Sequence, residues 1–336
     1  MLEGAKSSAH FRLVIVDGKA YVERFRPSIE RDVFTLWGIL QLLRVYPGKL
    51  PDLELMFDCF DRPVIPKGNA PPPLFRYCSD QWSSEVVFPD WSFWGWAEIN
   101  IKPWRDVLKD IIEGSKKTKW KDREPYAYWK GNPKVADSRK NLLTCNVTEQ
   151  NDWNTHLYIQ DWEQESSEGY KKSNLGDQCT HSRGMVPLKH YWPIKDDNKC
   201  PSLKFAVEWG NTHTQQAQAI GEAASKFIQE EMEMDYVYDY MFHLLNGYAK
   251  LLNFKPTIPS GAVELCTETM ACGLSGTQRR FMEESMVKSP SDSNPCIISP
   301  PFDPVTLHDL LEEKANSTRQ VETWEDQYWK NKNKGE

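Results

Sequence analysis

Leu50-Pro51-Asp52-Leu53-Glu54-Leu55-Met56-Phe57-Asp58-Cys59-Phe60-Asp61-Arg62-Pro63 is the stretch whose reading decides the fold. Its apolar run from Leu53 to Phe60 predicts a buried strand, and Pro63, which has no N–H for a ladder, bars further extension. Asp61 then falls at the strand's C-terminal end, the edge of an open α/β sheet where ligands collect. A carboxylate there acts as a general base when a substrate hydroxyl comes within hydrogen-bonding reach. The alternative is a turn-forming aspartate that bonds its own backbone ahead of a proline-rich loop.

Upstream, Leu13–Val22 holds two strand-like runs around Asp17-Gly18, which predicts a hairpin with a type I′ turn. Val33, Leu36, Trp37, Leu40 and Leu43 recur at helical spacing, and Pro47-Gly48 closes that helix. Helix then strand begins an α/β pattern. Downstream, a proline-rich loop leads to a short strand at Leu74–Cys78. Glu85–Glu98 is too rich in aromatics, Pro and Gly to be one regular element. Its Phe88, Trp91, Phe93, Trp94 and Trp96 suit either the apolar wall of a small-molecule pocket or a satellite core under a long loop. Pro103 opens a helix that ends near Gly114, and the basic run Lys116–Lys121 reads as a solvated connection.

A second α/β region starts at Tyr126-Ala127-Tyr128-Trp129-Lys130, a strand running into Gly131-Asn132-Pro133. A helix opening at Ser138 would place free N–H groups beside Lys130 and Arg139, an arrangement that favours phosphate. No Walker loop or GxGxxG is present, and a solvated basic surface loop is the competing account. His190 among aromatics either contacts a ligand or is a hydrogen-bonded structural histidine. From Leu203 the chain reads as strongly helical, with Ala217–Ile228 and Val237–Leu252 carrying packing stripes. Ser289–Pro304 reads as irregular, followed by a helical segment around Leu307–Ala315.

At 336 residues, two domains are the natural expectation. A net charge of −7 argues against a broad nucleic-acid-binding face while leaving room for a local basic cleft around one diphosphate. No run of apolar residues is long enough to span a membrane, and Met1–Lys6 lacks a signal-peptide core. The 8 cysteines show no metal-site spacing. Two sequons, Asn146-Val147-Thr148 and Asn316-Ser317-Thr318, permit glycosylation in a secretory compartment.

Five segments in order carry a family likeness. They are Leu50–Asp61, Phe88–Trp94, Tyr126–Gly131, His190–Ile194 and the helical block Phe227–Lys250. Together they resemble the Rumi-type protein O-glucosyltransferases, a family that includes fungal capsular xylosyltransferases and many plant members. The resemblance implies an α/β protein of two Rossmann-like domains (the GT-B type), with a cleft between the halves and an incomplete C-terminal domain. It divides the chain into an acceptor-side domain at 1–122, a nucleotide-sugar-binding domain at 123–256 and a largely irregular extension at 257–336. The aspartate matching Asp61 is the family's catalytic base. Asn132 and Arg139 match nucleotide-contacting positions, with Lys130 and Gly131 in the same turn, and Phe88–Trp96 matches part of the acceptor-facing wall.

The implied donor is UDP-glucose or UDP-xylose, and the implied acceptor is a Ser hydroxyl or a glycan. No Asp-x-Asp occurs in the chain, consistent with metal-independent, inverting transfer. The family's compartment is the endoplasmic reticulum or Golgi lumen. One departure stands out. Between Cys179-Thr180-His181 and Arg183 the family carries a further strand, turn and helix, which supply much of the donor pocket and a cysteine to pair with the one matching Cys179. Their absence implies an alternative: a non-catalytic product that at most binds acceptor.

Overall fold

A computed structural model describes residues 2–68, 70–80, 82–169 and 185–334. The expectations for Cys179 and for the Cys179–Arg183 junction lie outside the described residues. The chain forms two compact units, Met1–Asp110 with Met232–Ile298, and Ile111–Glu231 with Ser299–Glu336. In chain order the first unit runs through β1 (Phe11–Val16), β2 (Lys19–Arg24), α1 (Glu30–Val45), β3 (Leu53–Phe57), β4 (Phe75–Arg76) and β5 (Val86–Val87). Helix α2 (Trp104–Lys117) leads out of it. The second unit has β6 (Ala127–Gly131), α3 (Asp137–Leu142), β7 (Thr155–Ile159), α4 (Trp162–Ser167), α5 (Lys199–Thr212) and α6 (Thr214–Glu231). The first unit resumes with α7 (Met234–Ala249), β8 (Val263–Leu265), α8 (Thr267–Cys272) and α9 (Gly276–Ser285), and the second ends with α10 (Pro304–Lys332).

The first unit is built on a six-stranded sheet in the order β5-β4-β3-β1-β2-β8. Asp17 and Gly18 both have positive φ, so the tight turn forces β1 and β2 antiparallel, as the Asp-Gly pair predicts. Strand β3 runs antiparallel to β1, while β3, β4 and β5 run parallel to one another. This unit is therefore a mixed α/β structure, not the all-parallel sheet of a doubly wound domain. β3 is buried along its whole length, which agrees with its unbroken apolar run. It ends at Phe57, short of the expected Phe60, because the next residue, Asp58, turns into a buried ion pair with Arg76 at 2.8 Å.

On one face of the sheet Phe11 stacks on Phe57 at 5.2 Å, and Phe88 meets Phe57 edge-on. On the other, Met56 packs with Leu2, Ala5, Ala9, Ile65 and Leu74. Helix α7 joins this unit through Tyr248, which meets Phe75 at 4.9 Å and donates to the Glu54 carbonyl at 3.1 Å. The expected division at 122 and 256 placed this helix with the nucleotide-binding half; its packing places it in the first compact unit. Within that unit Gly38 of α1 lies against Trp94, and a Cβ added there would sit 2.5 Å from the indole ring. Gly38→Ala is expected to destabilise the first unit by about 1–3 kcal/mol, the usual result of overpacking, measured as a lower midpoint in denaturant.

The second unit pairs β6 with β7 in parallel. Cys145 and Cys200 form a disulfide that ties the turn after α3 to the start of α5. The region 257–336 is not largely irregular: it holds β8 and three helices. The longest, α10, starts where Asp303 caps the free N–H groups of Val305 and Thr306 and Pro304 fits the first turn. Its Tyr328 packs on Phe205 of α5 at 5.2 Å, and Glu325 accepts from Ser202 at 3.0 Å. The expected helical piece at Leu307–Ala315 is the first half of this element.

Candidate active site

The parallel run β3-β4-β5 brings three loops to one sheet edge: the segments after Phe57, after Arg76 and after Val87. Asp61 lies on the first of these. Its side chain is 63% exposed, and its carboxylate pairs with Arg31 of α1 at 2.5 Å. That exposure leaves the carboxylate open to an incoming hydroxyl. The Arg31 guanidinium also lies over the Trp91 ring at 4.5 Å and the Trp96 ring at 5.7 Å. Such cation–π contacts hold a guanidinium in place without consuming its N–H groups.

Beneath this surface pair lies a buried polar network. His10 contacts Asp58 at 2.7 Å, Asp58 pairs with Arg76, and Arg76 donates to the Phe60 carbonyl at 3.0 Å. The ring of His10 meets Phe60 edge-on at 4.5 Å. These contacts fasten the backbone from Asp58 to Phe60. The Cys78 thiol donates to the carbonyl of Asp61 itself. Burial pushes the Cys59 thiol up, which makes it inert as a nucleophile at neutral pH. Burial likewise raises Asp90, and the charge of Asp61 adds to that effect. Asp90 accepts from the Ser92 N–H at 2.9 Å, so it caps the short turn that carries Trp91.

The aromatic segment divides. Phe88, Trp91 and Trp94 are buried, and Trp94 donates to the Tyr238 hydroxyl at 3.1 Å. These three serve the core, the packing alternative left open in the sequence. Phe93 and Trp96 are half-buried, and Trp96 is the ring that shares Arg31 with Trp91.

In the second unit, Lys130, Gly131, Asn132 and Arg139 do fall on one strand–turn–helix, but their polar groups are differently employed from the anion site expected. Lys130 pairs with Glu165 at 2.9 Å. The Asn132 side chain accepts from the Lys134 N–H at 2.9 Å, and Arg139, exposed, reaches the Asn132 carbonyl at 3.5 Å. A Cβ at Gly131 would come 2.5 Å from the Trp129 ring, so glycine is needed for that close approach. Helix α3 has only 6 residues, too short to build a substantial dipole. His190 accepts from the Val186 N–H at 2.9 Å and packs on Phe227, and burial lowers its pKa. It is a structural histidine. A separate cavity of about 1040 Å³ is lined by Trp120, Tyr126, Tyr128, Trp192 and Trp209, at the start of β6 and not at its Gly131 end.

Sequence reading missed Arg31, His10, Asp58 and Arg76. The available signals were charged residues inside strand-like runs, Asp58 in Leu53–Phe60 and Arg76 in Leu74–Cys78. Neither names a partner.

Comparison with known sequences matches the profile of Glycosyl transferase family 90 over residues 1–183 and 181–325. Protein O-glucosyltransferase 1 of Homo sapiens is 24% identical over 277 residues, covering 67% of this chain and 69% of its own length. O-glucosyltransferase rumi of Drosophila melanogaster is 19% identical over 273 residues, 65% of each chain. Protein O-glucosyltransferase 2 of Danio rerio is 21% identical over 299 residues, 76% of this chain and 58% of its own.

Proposed function

The chain belongs to glycosyl transferase family 90, and from that membership we propose that it moves glucose or xylose from a UDP-sugar to a Ser hydroxyl or a glycan hydroxyl. The observation that carries the site assignment is the exposed Asp61 carboxylate at the C-terminal edge of parallel strands, paired to Arg31. In this reading Asp61 takes the acceptor's O–H proton as that oxygen bonds to the anomeric carbon. The sugar–phosphate bond breaks on the opposite face, and UDP leaves with the bonding electron pair. The configuration at that carbon inverts.

The donor side of the proposal rests on the Lys130–Arg139 stretch, with Arg139 as the cation for the leaving diphosphate and Asn132 and Gly131 shaping the turn. The acceptor side rests on the first unit, where Trp96 and Phe93 keep partly exposed rings. The framework we propose is of the GT-B type. Its support is parallel pairing in both units, β3-β4-β5 in one and β6-β7 in the other. We further propose metal-independent transfer, because the sequence has no Asp-x-Asp. A lumenal compartment of the secretory pathway fits the Cys145–Cys200 disulfide and the two sequons. No described helix is long and apolar enough to cross a membrane.

The test measures UDP released from UDP-glucose and UDP-xylose with Ser peptides and glycans as acceptors, alongside calorimetric titration with UDP. Saturable UDP binding with turnover of one donor is the expected result. Arg139→Ala is expected to weaken UDP binding roughly 10-fold, the scale of one charge-assisted contact. An unchanged affinity would remove Arg139 from the donor site. A parent chain that binds acceptor but not UDP would establish the non-catalytic alternative.

A further inference from the structure

We propose that Arg31 is the positioning residue for Asp61, holding one carboxylate oxygen so that the other faces the acceptor hydroxyl. The inference rests on the reading of Asp61 as the base. Asp61 sits four residues beyond the end of β3, in a segment with no regular structure, and its side chain is mostly exposed. A base in such a segment needs a fixed partner, since a proton transfer requires the carboxylate to be held within about 0.5 Å of its working position. The buried His10–Asp58–Arg76 network fixes the backbone up to Phe60 but gives Asp61 no side-chain partner of its own.

Arg31 supplies one. Its Nη1 meets Asp61 Oδ1 and lies 3.4 Å from the Cys59 carbonyl, so one nitrogen spans the loop from Cys59 to Asp61. Arg31 is itself located from several sides. Its side chain is only 23% exposed, lying over Trp91 and Trp96. Its carbonyl accepts from Thr35 Oγ1 at 2.7 Å and from the Tyr77 hydroxyl at 3.3 Å. The preceding residue, Glu30, accepts from the N–H groups of Ala97 at 2.6 Å and Glu98 at 2.8 Å. The first turn of α1 therefore fastens the Trp96 loop and the Asp61 loop together. A planar guanidinium can stack on the rings and direct an N–H at the carboxylate at once; an ammonium cannot do both.

The experiment compares the parent with Arg31→Ala and Arg31→Lys by two readouts. The first is amide hydrogen exchange over residues 59–62, which does not depend on activity. Arg31→Ala is expected to speed exchange there at least about tenfold with the melting temperature of the first unit unchanged. The second is donor turnover. Arg31→Ala is expected to lower kcat about 10–100-fold with both KM values within about twofold, and millimolar guanidinium is expected to restore part of the loss. Guanidinium is expected to leave Asp61→Asn unrescued, and Arg31→Lys to fall between parent and Arg31→Ala. Unchanged exchange at 59–62 would overturn the positioning role whatever the turnover. Faster exchange with kcat near the parent's, or a kcat loss that guanidinium does not repair, would reduce Arg31 to a loop brace. A parent that turns over neither donor would defeat the base assignment itself, and the role of Arg31 with it, through the parent's arm and not the variants'.

Discussion

Asp61→Asn is expected to lower sugar transfer by about 10²–10⁴-fold, the usual contribution of general-base catalysis, while UDP affinity stays within about twofold of the parent. The amide has the carboxylate's shape, so the loop from Asp58 to Arg62 keeps its course. It cannot accept the acceptor's proton, and it no longer offers Arg31 an opposite charge. Because the side chain is largely exposed, folding stability is expected to change little. Donor turnover and calorimetric UDP titration on the same preparation check both halves. Activity within a factor of a few of the parent would return Asp61 to the turn role that its sequence context also allows.

Cys145→Ser combined with Cys200→Ser is expected to destabilise the second unit by about 2–4 kcal/mol, leaving the first unit's midpoint in place. The bridge closes a loop with a sequence separation of 55, so the reduced, unfolded chain recovers considerable freedom. The second unit has little else to offset that. Among the described residues its buried apolar side chains are Cys145, Leu157, Phe205 and Val321 with the prolines Pro133 and Pro187, and its sheet has two strands. A two-stranded sheet is marginal by itself and relies on helices packed against it. Hydrogen exchange resolves the two units: amides of β6 and β7 should lose protection while those of β1 and β3 keep theirs. Equal protection in the double variant would show that α5 and α10 suffice.

How much of this was legible in the sequence depends on how local each signal is. The Asp17-Gly18 hairpin, the α1 stripe and the β3 run were readable because each is written within a few adjacent residues. The direction of β3 was not, because antiparallel pairing with β1 is decided by how α1 returns the chain. Region 257–336 reads as irregular because Ser and Pro up to Pro304 mask β8 and the short helices, and α10 is mostly polar along its length. The aromatic segment could not be resolved from composition: Trp94 and Trp96 differ by two positions, yet one is core and the other half-exposed. Asp61 stands out in the sequence by its place after the strand. Its partner Arg31 lies 30 residues earlier with no local mark. Lys130 and Arg139 are legible as basic residues flanking one turn, but their contacts are not, since Lys130 pairs with Glu165, 35 positions along the chain.

Strand β8 has a consequence for the order of synthesis. It covers the outer edge of β2 through Ala20↔Leu265, Tyr21↔Glu264 and Val22↔Val263. A ribosome making this chain at typical speeds needs about 10–50 s between the hairpin and the residues that cover its edge. Throughout that interval β2 presents unpaired N–H and C=O groups, the template on which another chain's strand can add. Helix α7, whose Tyr248 seals β3, emerges just ahead of β8. The N-terminal sheet therefore closes late. A nascent-chain chaperone that shields Lys19–Arg24 until Leu265 emerges would raise the yield of folded protein, and truncation before Val263 would produce aggregates from an otherwise intact N-terminal half.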